Sequence, residues 1–248
     1  MTKFLTLFDT QAAYEAAESN LDLPNVSLIA ATNAVAYKPY VPTPSHEYVE
    51  IGGIKWATMN VGANSITDYG LYFQWGDTQG YTADQVGSGE GQKYFGWADY
   101  KYGNGTSNPG DTGMTKYNSS DGKTILDASD DGGRLAWGGG WRMPTTAEFQ
   151  ALGTATTSAW TSNYNSSGIA GLVLTSTADS SKKLFFPAAG YCSDGSVGNV
   201  GSHGYYWSSS LNPSSVQRVY YLYFLSGTVN WQNPSSRKAG RTLRLVCD

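Results

Sequence analysis

Charge, histidine and cysteine are all scarce in this chain, and each shortage removes a class of function. Charged residues make up 15% of the 248 positions and sum to a net charge of −4. No basic tract occurs, so nucleic acid, which is gripped through its phosphates by clustered Lys and Arg, is not an expected partner. No apolar stretch reaches the roughly 20 residues that a membrane helix needs, so no membrane insertion is expected. The run Phe4-Leu5-Thr6-Leu7-Phe8 is too short for the core of a signal peptide. As it stands, the chain reads as a soluble product of the cytoplasm.

Histidine occurs only at His46 and His203. Neither has a Cys or a second His at ligand spacing, so no zinc site is expected. A Gly-x-Ser-x-Gly elbow is missing, and Gly138-Gly139-Gly140 lacks the Gly-Lys-Ser/Thr sequel of a phosphate loop. No catalytic residue is assigned, and the chain is expected not to be an enzyme. Asp127 to Gly132 opens like a calcium loop, but its twelfth position is Gly138 instead of a bidentate Glu. The reading therefore assigns no cofactor and no metal residue. It leaves open a structural calcium of another kind near these carboxylates, against the alternative of an Asp-rich turn. Cys192 and Cys247, the only cysteines, read as two buried thiols, or as a disulfide if the protein works outside a cell.

What the chain has instead is 30 Gly, 18 Tyr and 8 Trp. Such a composition favours a loop-rich β-containing fold over a helical bundle or a disordered tail. Residues 1–45 read as a separate small unit. Asp9 caps a helix over residues 11–17, and residues 26–29 and 34–37 are short strands. Pro39, Pro42 and Pro44 then make a stiff connector. From residue 46 to 248 the pattern is a second, larger domain. Residues 48–51 and 54–57 flank Gly52-Gly53 as a hairpin. Residues 71–75 are an aromatic strand, and residues 76–133 form a long irregular region. Thr145 and Glu148 make a capping box for a helix starting near residue 146. Residues 171–176 and 183–188 are strands joined by a turn over 178–181. Residues 205–209, a hairpin over 218–231 and residues 242–247 complete a mixed sheet. The fold class is α+β, with few helices and many short strands.

The hairpin carries the functional signal. Val219, Leu222, Phe224, Val229 and Trp231 read as its buried set. Tyr221, Tyr223, Leu225, Thr228, Asn230 and Gln232 read as the opposite, outward face, with Ser226-Gly227 as the turn. A merely solvated face carries Lys and Glu. This one mixes Tyr with small polar residues, as a paratope does. Tyr221 and Tyr223 are the expected anchors. On this reading, replacing both by Ala abolishes binding at little cost in stability. Trp137, Trp141, Trp207 and Trp231 are each a core residue or a sugar-stacking platform, with the core reading favoured for Trp207 and Trp231.

The segment Trp137-Gly138-Gly139-Gly140-Trp141-Arg142-Met143-Pro144-Thr145, followed by Glu148-Phe149, resembles the Trp-Arg-(Met/Leu)-Pro-Thr segment of bacterial domains with the C-type-lectin fold. More specifically, it is similar to the Fibrobacter succinogenes major paralogous domain. Residues 49–60, Gly70 to Gly76, Tyr206-Trp207-Ser208-Ser209-Ser210 and Leu243-Arg244-Leu245-Val246 extend the likeness over residues 46–248. The resemblance implies a C-type-lectin-like (formylglycine-generating-enzyme-like) domain with long irregular loops. The enzyme branch of that fold binds copper through a close cysteine pair, which this chain lacks. The calcium-dependent sugar tripeptides Glu-Pro-Asn and Gln-Pro-Asp are also missing.

The branch it resembles best is the variable proteins of diversity-generating retroelements. That likeness implies a hypervariable ligand- or receptor-binding protein, in a phage tail fibre or on a bacterial surface, acting at the virion or extracellular surface after release. Its partner would be a protein or glycan receptor on a cell, and such proteins can be homo-oligomers. The implied ligand-binding residues are the outward set above together with Tyr206, Ser210, Ser214, Ser215, Gln217, Arg218, and with Ser235, Ser236, Lys238 and Arg241. Adenine substitution in an AAC codon never yields Trp, so Trp207 and Trp231 would be fixed scaffold. Gln217, Gln232 and Lys238 would need AAA or AAG parents or be invariant. The alternative function is a fixed carbohydrate-binding or structural adhesin domain of a cell-surface assembly. Residues 1–45 are expected to be an attachment module, to a phage fibre or a surface assembly.

Overall fold

The structure is a computed structural model that describes residues 28–30, 35–37 and 46–247. The chain divides into two units, Met1–Thr43 and Pro44–Asp248. In the first unit, β1 (Leu28–Ala30) and β2 (Val35–Tyr37) pair antiparallel, Leu28 opposite Tyr37. The helix expected after Asp9 and the proline connector lie outside the described residues.

The second unit is mostly β-sheet, with two α-helices among the described residues, α1 (Gly132–Trp137) and α2 (Thr146–Ala155). No helix among those residues is long and apolar enough to cross a membrane. β3 (Tyr48–Ile51) and β4 (Ile54–Ala57) form the expected hairpin. Its turn places Gly52 at φ +63° and Gly53 at φ +79°, a left-handed pair that side chains resist. β4 pairs with β16 (Val246–Cys247), and β16 with β6 (Trp141–Arg142), so the end of the chain is sewn to the start of the domain.

A second sheet runs β11-β10-β15-β5, from Ser196–Gly198, Tyr191–Ser193, Gly240–Arg241 and Phe73–Gln74. A third runs β7 (Thr156–Thr161), β8 (Gly171–Ser176) and β9 (Lys183–Pro187). The fourth is β12 (His203–Leu211), β13 (Arg218–Leu225) and β14 (Thr228–Ser236). The aromatic strand expected at 71–75 shortens to β5, and that expected at 242–247 shortens to β16. Carbonyls there accept from the end of β4 and the loop after it, as Ala57 N donates to Leu245 O and Val61 N to Leu243 O.

The segment Trp141 to Glu148 now has a physical meaning. Arg142 makes a two-pronged pair with Glu148, Nη2 to Oε1 at 2.7 Å and Nη1 to Oε2 at 2.9 Å. Glu148 Oε2 also accepts from Thr145 N at 2.7 Å, and Thr145 Oγ1 accepts from Glu148 N at 3.2 Å. One carboxylate thus closes the capping box and ties α2 to β6. Phe149 and Leu152 drop into the core, Phe149 at 5.5 Å from Trp56.

The irregular region is held by aromatic packing and buried polar bonds. Tyr100 Oη donates to Trp75 O at 2.9 Å. The fully buried Arg237 donates to Tyr117 O at 3.0 Å and Lys116 O at 3.1 Å, over the rings of Trp75 and Tyr100. Lys116 lies between Asp127 and Asp130, and Lys123 pairs with Asp127. Ammonium groups thus pair with these carboxylates. Asp131 is spent on capping α1, its carboxylate accepting from Gly133, Arg134 and Met143 N–H groups. Among the described residues no group of His, Cys, Asp and Glu is arranged to hold a metal.

The sheet β12-β13-β14 is covered on both sides. Trp207, Val219 and Tyr221 pack into a cluster with Trp75, Tyr117 and Leu245. Tyr206, Leu222 and Phe224 pack into a second with Trp56, Phe149 and Phe186. The alternation read as inside against outside is instead, over much of its length, a partition between two cores.

Candidate functional site

Where the first cluster runs out toward the turn, its face of the sheet opens to solvent. Pairing sets His203 opposite Leu225, Tyr205 opposite Tyr223 and Trp207 opposite Tyr221. On the far side Tyr223 faces Asn230, and Tyr221 faces Asn233. One face therefore carries His203, Tyr205 and Tyr223 with Leu225, Thr228, Asn230 and Asn233, grading from buried Tyr221 to exposed Thr228 and Asn230.

The rings brace one another. Tyr205 lies 5.2 Å from Tyr223, 5.9 Å from Tyr221 and 5.0 Å from Tyr191 between centroids. His203 lies 5.9 Å from Tyr223. Asn199 Nδ2 donates to Tyr205 Oη at 2.9 Å, and Asn233 Nδ2 to Tyr221 Oη at 2.6 Å. Beneath them sits the Arg241 guanidinium, 3.5 Å from the Tyr221 centroid, 4.1 Å from Trp207 and 5.3 Å from Tyr205. Its Nε and Nη1 are buried and have no hydrogen-bond partner, so ring faces solvate the charge. Burial lowers the Arg241 pKa to about 10, which leaves the group cationic at neutral pH. Burial also raises the phenols of Tyr205 and Tyr223, which stay neutral hydrogen-bonding groups.

Several expected site residues belong to the scaffold, and the reading is corrected there. Tyr206 is fully buried, its hydroxyl donating to Pro187 O at 2.7 Å, because its register faces the second core. Tyr221 is 5% exposed and Arg241 3%, each covered by the other and by Trp207. The double Tyr221, Tyr223 variant therefore cannot leave stability untouched. Ser210 Oγ accepts from Thr146 N at 3.1 Å and helps dock α2. Lys238 is tied to Asp194 at 2.6 Å.

The remaining expected residues form two groups. Tyr223, Leu225, Thr228 and Asn230 lie at the turn end. Exposed Ser214 and Arg218 and half-buried Ser215, Gln217, Ser235 and Ser236 lie at the other end, with Arg218 opposite Ser236. A bulge between them inserts one residue in β14, since Asn230 and Asn233 face Tyr223 and Tyr221. Gln232 leaves the Tyr face there and accepts from Gln150 Nε2 of α2 at 2.9 Å. Trp207 is fully buried, whereas Trp231 is only half-buried. Sequence reasoning missed Tyr205, Tyr191, Asn199 and Asn233. The β12–β13 pairing places Tyr205 and the bulge places Asn233, while Tyr191 comes from β10 and Asn199 from the end of β11, and none of these contacts leaves a local signal. Cys192 and Cys247 are buried in different sheets.

No family model, curated protein or solved structure matches the chain.

Proposed function

We propose that the chain is a non-enzymatic, variable ligand-binding protein on a C-type-lectin-like frame, recognising a receptor on a cell surface from a phage fibre or a bacterial surface. The observation that carries this reading is the division of labour within one sheet. Tyr221, Arg241, Trp207 and Tyr206 lock the floor from both sides, while half-buried Tyr223 and exposed Thr228 and Asn230 stand on it, and exposed Ser214 and Arg218 lie at the far end of the sheet. Exchange of such positions leaves the two cores intact, which is what a diversified binding surface needs. Tyr and Asn on a rigid support supply contact area and hydrogen bonds at low entropic cost.

The test is the DNA around the coding sequence. The reading expects a near-copy of the codons for residues 205–246 beside a reverse transcriptase gene, differing at adenines. The differences should fall on the open positions and spare Trp207 and Trp231. Absence of any near-copy defeats diversification and leaves a fixed adhesin.

A further inference from the structure

The other face and outer edge of the same hairpin carry a separate feature. Two grooves, of about 760 and 380 Å³, meet at Trp231 and share Thr228 and Val229. The larger runs between β14 and α2, past Gln150, Thr154 and Gln232. The smaller runs between the hairpin and β7, past Ser158 and Trp160. Among the described residues, no charged side chain lines either one.

The Trp231 ring is set in place by the backbone of α2. A Cβ built on Gly153 would lie 2.6 Å from Trp231 Cε2, so only glycine lets the helix lie this close against the indole. Beside it, the Gln150–Gln232 bond holds two amides in a fixed orientation. That bond uses one donor of Gln150 and one oxygen of Gln232, and each amide keeps further donor and acceptor capacity.

We propose that this cleft binds a neutral oligosaccharide, with Trp231 as the stacking platform between two subsites. A pyranose has an apolar C–H face that packs on an indole and hydroxyls that bond to amides and to Ser and Thr. A charge-free lining offers no counter-charge to phosphate, sulfate or uronate groups. Trp231 and Val229 lie on the side of the sheet opposite Tyr223, and the grooves share only Leu225, Thr228 and Asn230, at the turn and the outer strand, with the tyrosine face.

The test titrates the full chain with neutral hexaoses of the malto-, cello-, manno-, xylo- and N-acetylchito series, following calorimetry and tryptophan fluorescence. Polygalacturonate and dextran sulfate serve as charged comparators. At least one neutral hexaose should bind at millimolar concentration or better, without dependence on salt. Binding should weaken by about tenfold or more in Trp231→Ala and in the double variant Gln150→Ala, Gln232→Ala, and persist in Tyr48→Ala. The glutamines are exposed, so the double variant keeps the test valid if Trp231→Ala fails to fold. Binding of charged polymers alone, no neutral binding, or full binding by the glutamine double variant overturns the proposal.

Discussion

Replacing Tyr221 and Tyr223 by alanine one at a time separates floor from surface. The two side chains share one strand face, yet Tyr221 is buried and Tyr223 half-buried. Truncating a buried aromatic side chain costs about 3–5 kcal/mol. Tyr221 also covers Arg241 at 3.5 Å, and losing one such ring from a desolvated cation adds about 0.5–2 kcal/mol. The Asn233 bond to its hydroxyl contributes about 1 kcal/mol more. Tyr221→Ala should therefore lose about 4.5–8 kcal/mol, a large part of the roughly 5–15 kcal/mol that holds a domain together. Tyr223→Ala gives up only part of an aromatic burial, about 1–2 kcal/mol. Urea unfolding followed by tryptophan fluorescence measures both, and Tyr221→Phe gives an intermediate that keeps the ring over Arg241. Equal losses for the two alanine variants, or a loss below about 1.5 kcal/mol for Tyr221→Ala, would refute the assignment of Tyr221 to the floor.

Arg244→Met should be more damaging than its conservative volume suggests. Its guanidinium donates to Asn60 Oδ1, Ala57 O, Thr58 O and Phe185 O, and stranding these acceptors costs at least about 3–5 kcal/mol, read as loss of soluble protein or of thermal midpoint. Burial pushes the Cys192 thiol up to about 12, so Cys192 should resist a thiol reagent in the folded protein at pH 8 and react when urea unfolds it, as peptide mapping would reveal. Burial alone would raise the Asp130 carboxyl, but hydrogen bonds from Lys116, Tyr102 and Tyr117 and the charge of Lys101 hold it well below the usual range. Its contribution is full above the ordinary carboxylate value near about 4 and is lost as pH falls through the lower folded value. Acid titration of thermal stability should show that loss in the native chain and a flatter profile in Asp130→Asn.

Local signals in the sequence carried the elements that have local causes. Gly52-Gly53 between alternating strands, the Thr145–Glu148 box and Ser226-Gly227 each specify their turn or cap within a few residues. Elements without such punctuation were not legible. β7 follows α2 directly at Thr156, with no Gly or Pro between helix and strand, and α1 opens on Gly132-Gly133, poor helix formers held by the Asp131 cap. The binding face was half legible for a related reason. Period-two alternation tells that side chains point to opposite sides, but not that both sides are covered. The second cover comes from Phe149, Leu174 and Phe186, far away in sequence. Arg241 illustrates the same limit, since charge argues for exposure until three aromatic rings are known to surround it.

The central claim is that the hairpin surface changes freely on a floor that does not. A saturation library over residues 203–247, displayed on yeast and sorted for protease resistance, tests it directly. The account predicts broad tolerance at Tyr223, Thr228, Asn230, Ser214 and Arg218, with depletion of most substitutions at Tyr206, Tyr221, Arg241 and Arg244. Depletion at Tyr223, Thr228 and Asn230 as deep as at Tyr221 would contradict it, because those side chains would then be holding the fold together instead of standing on it.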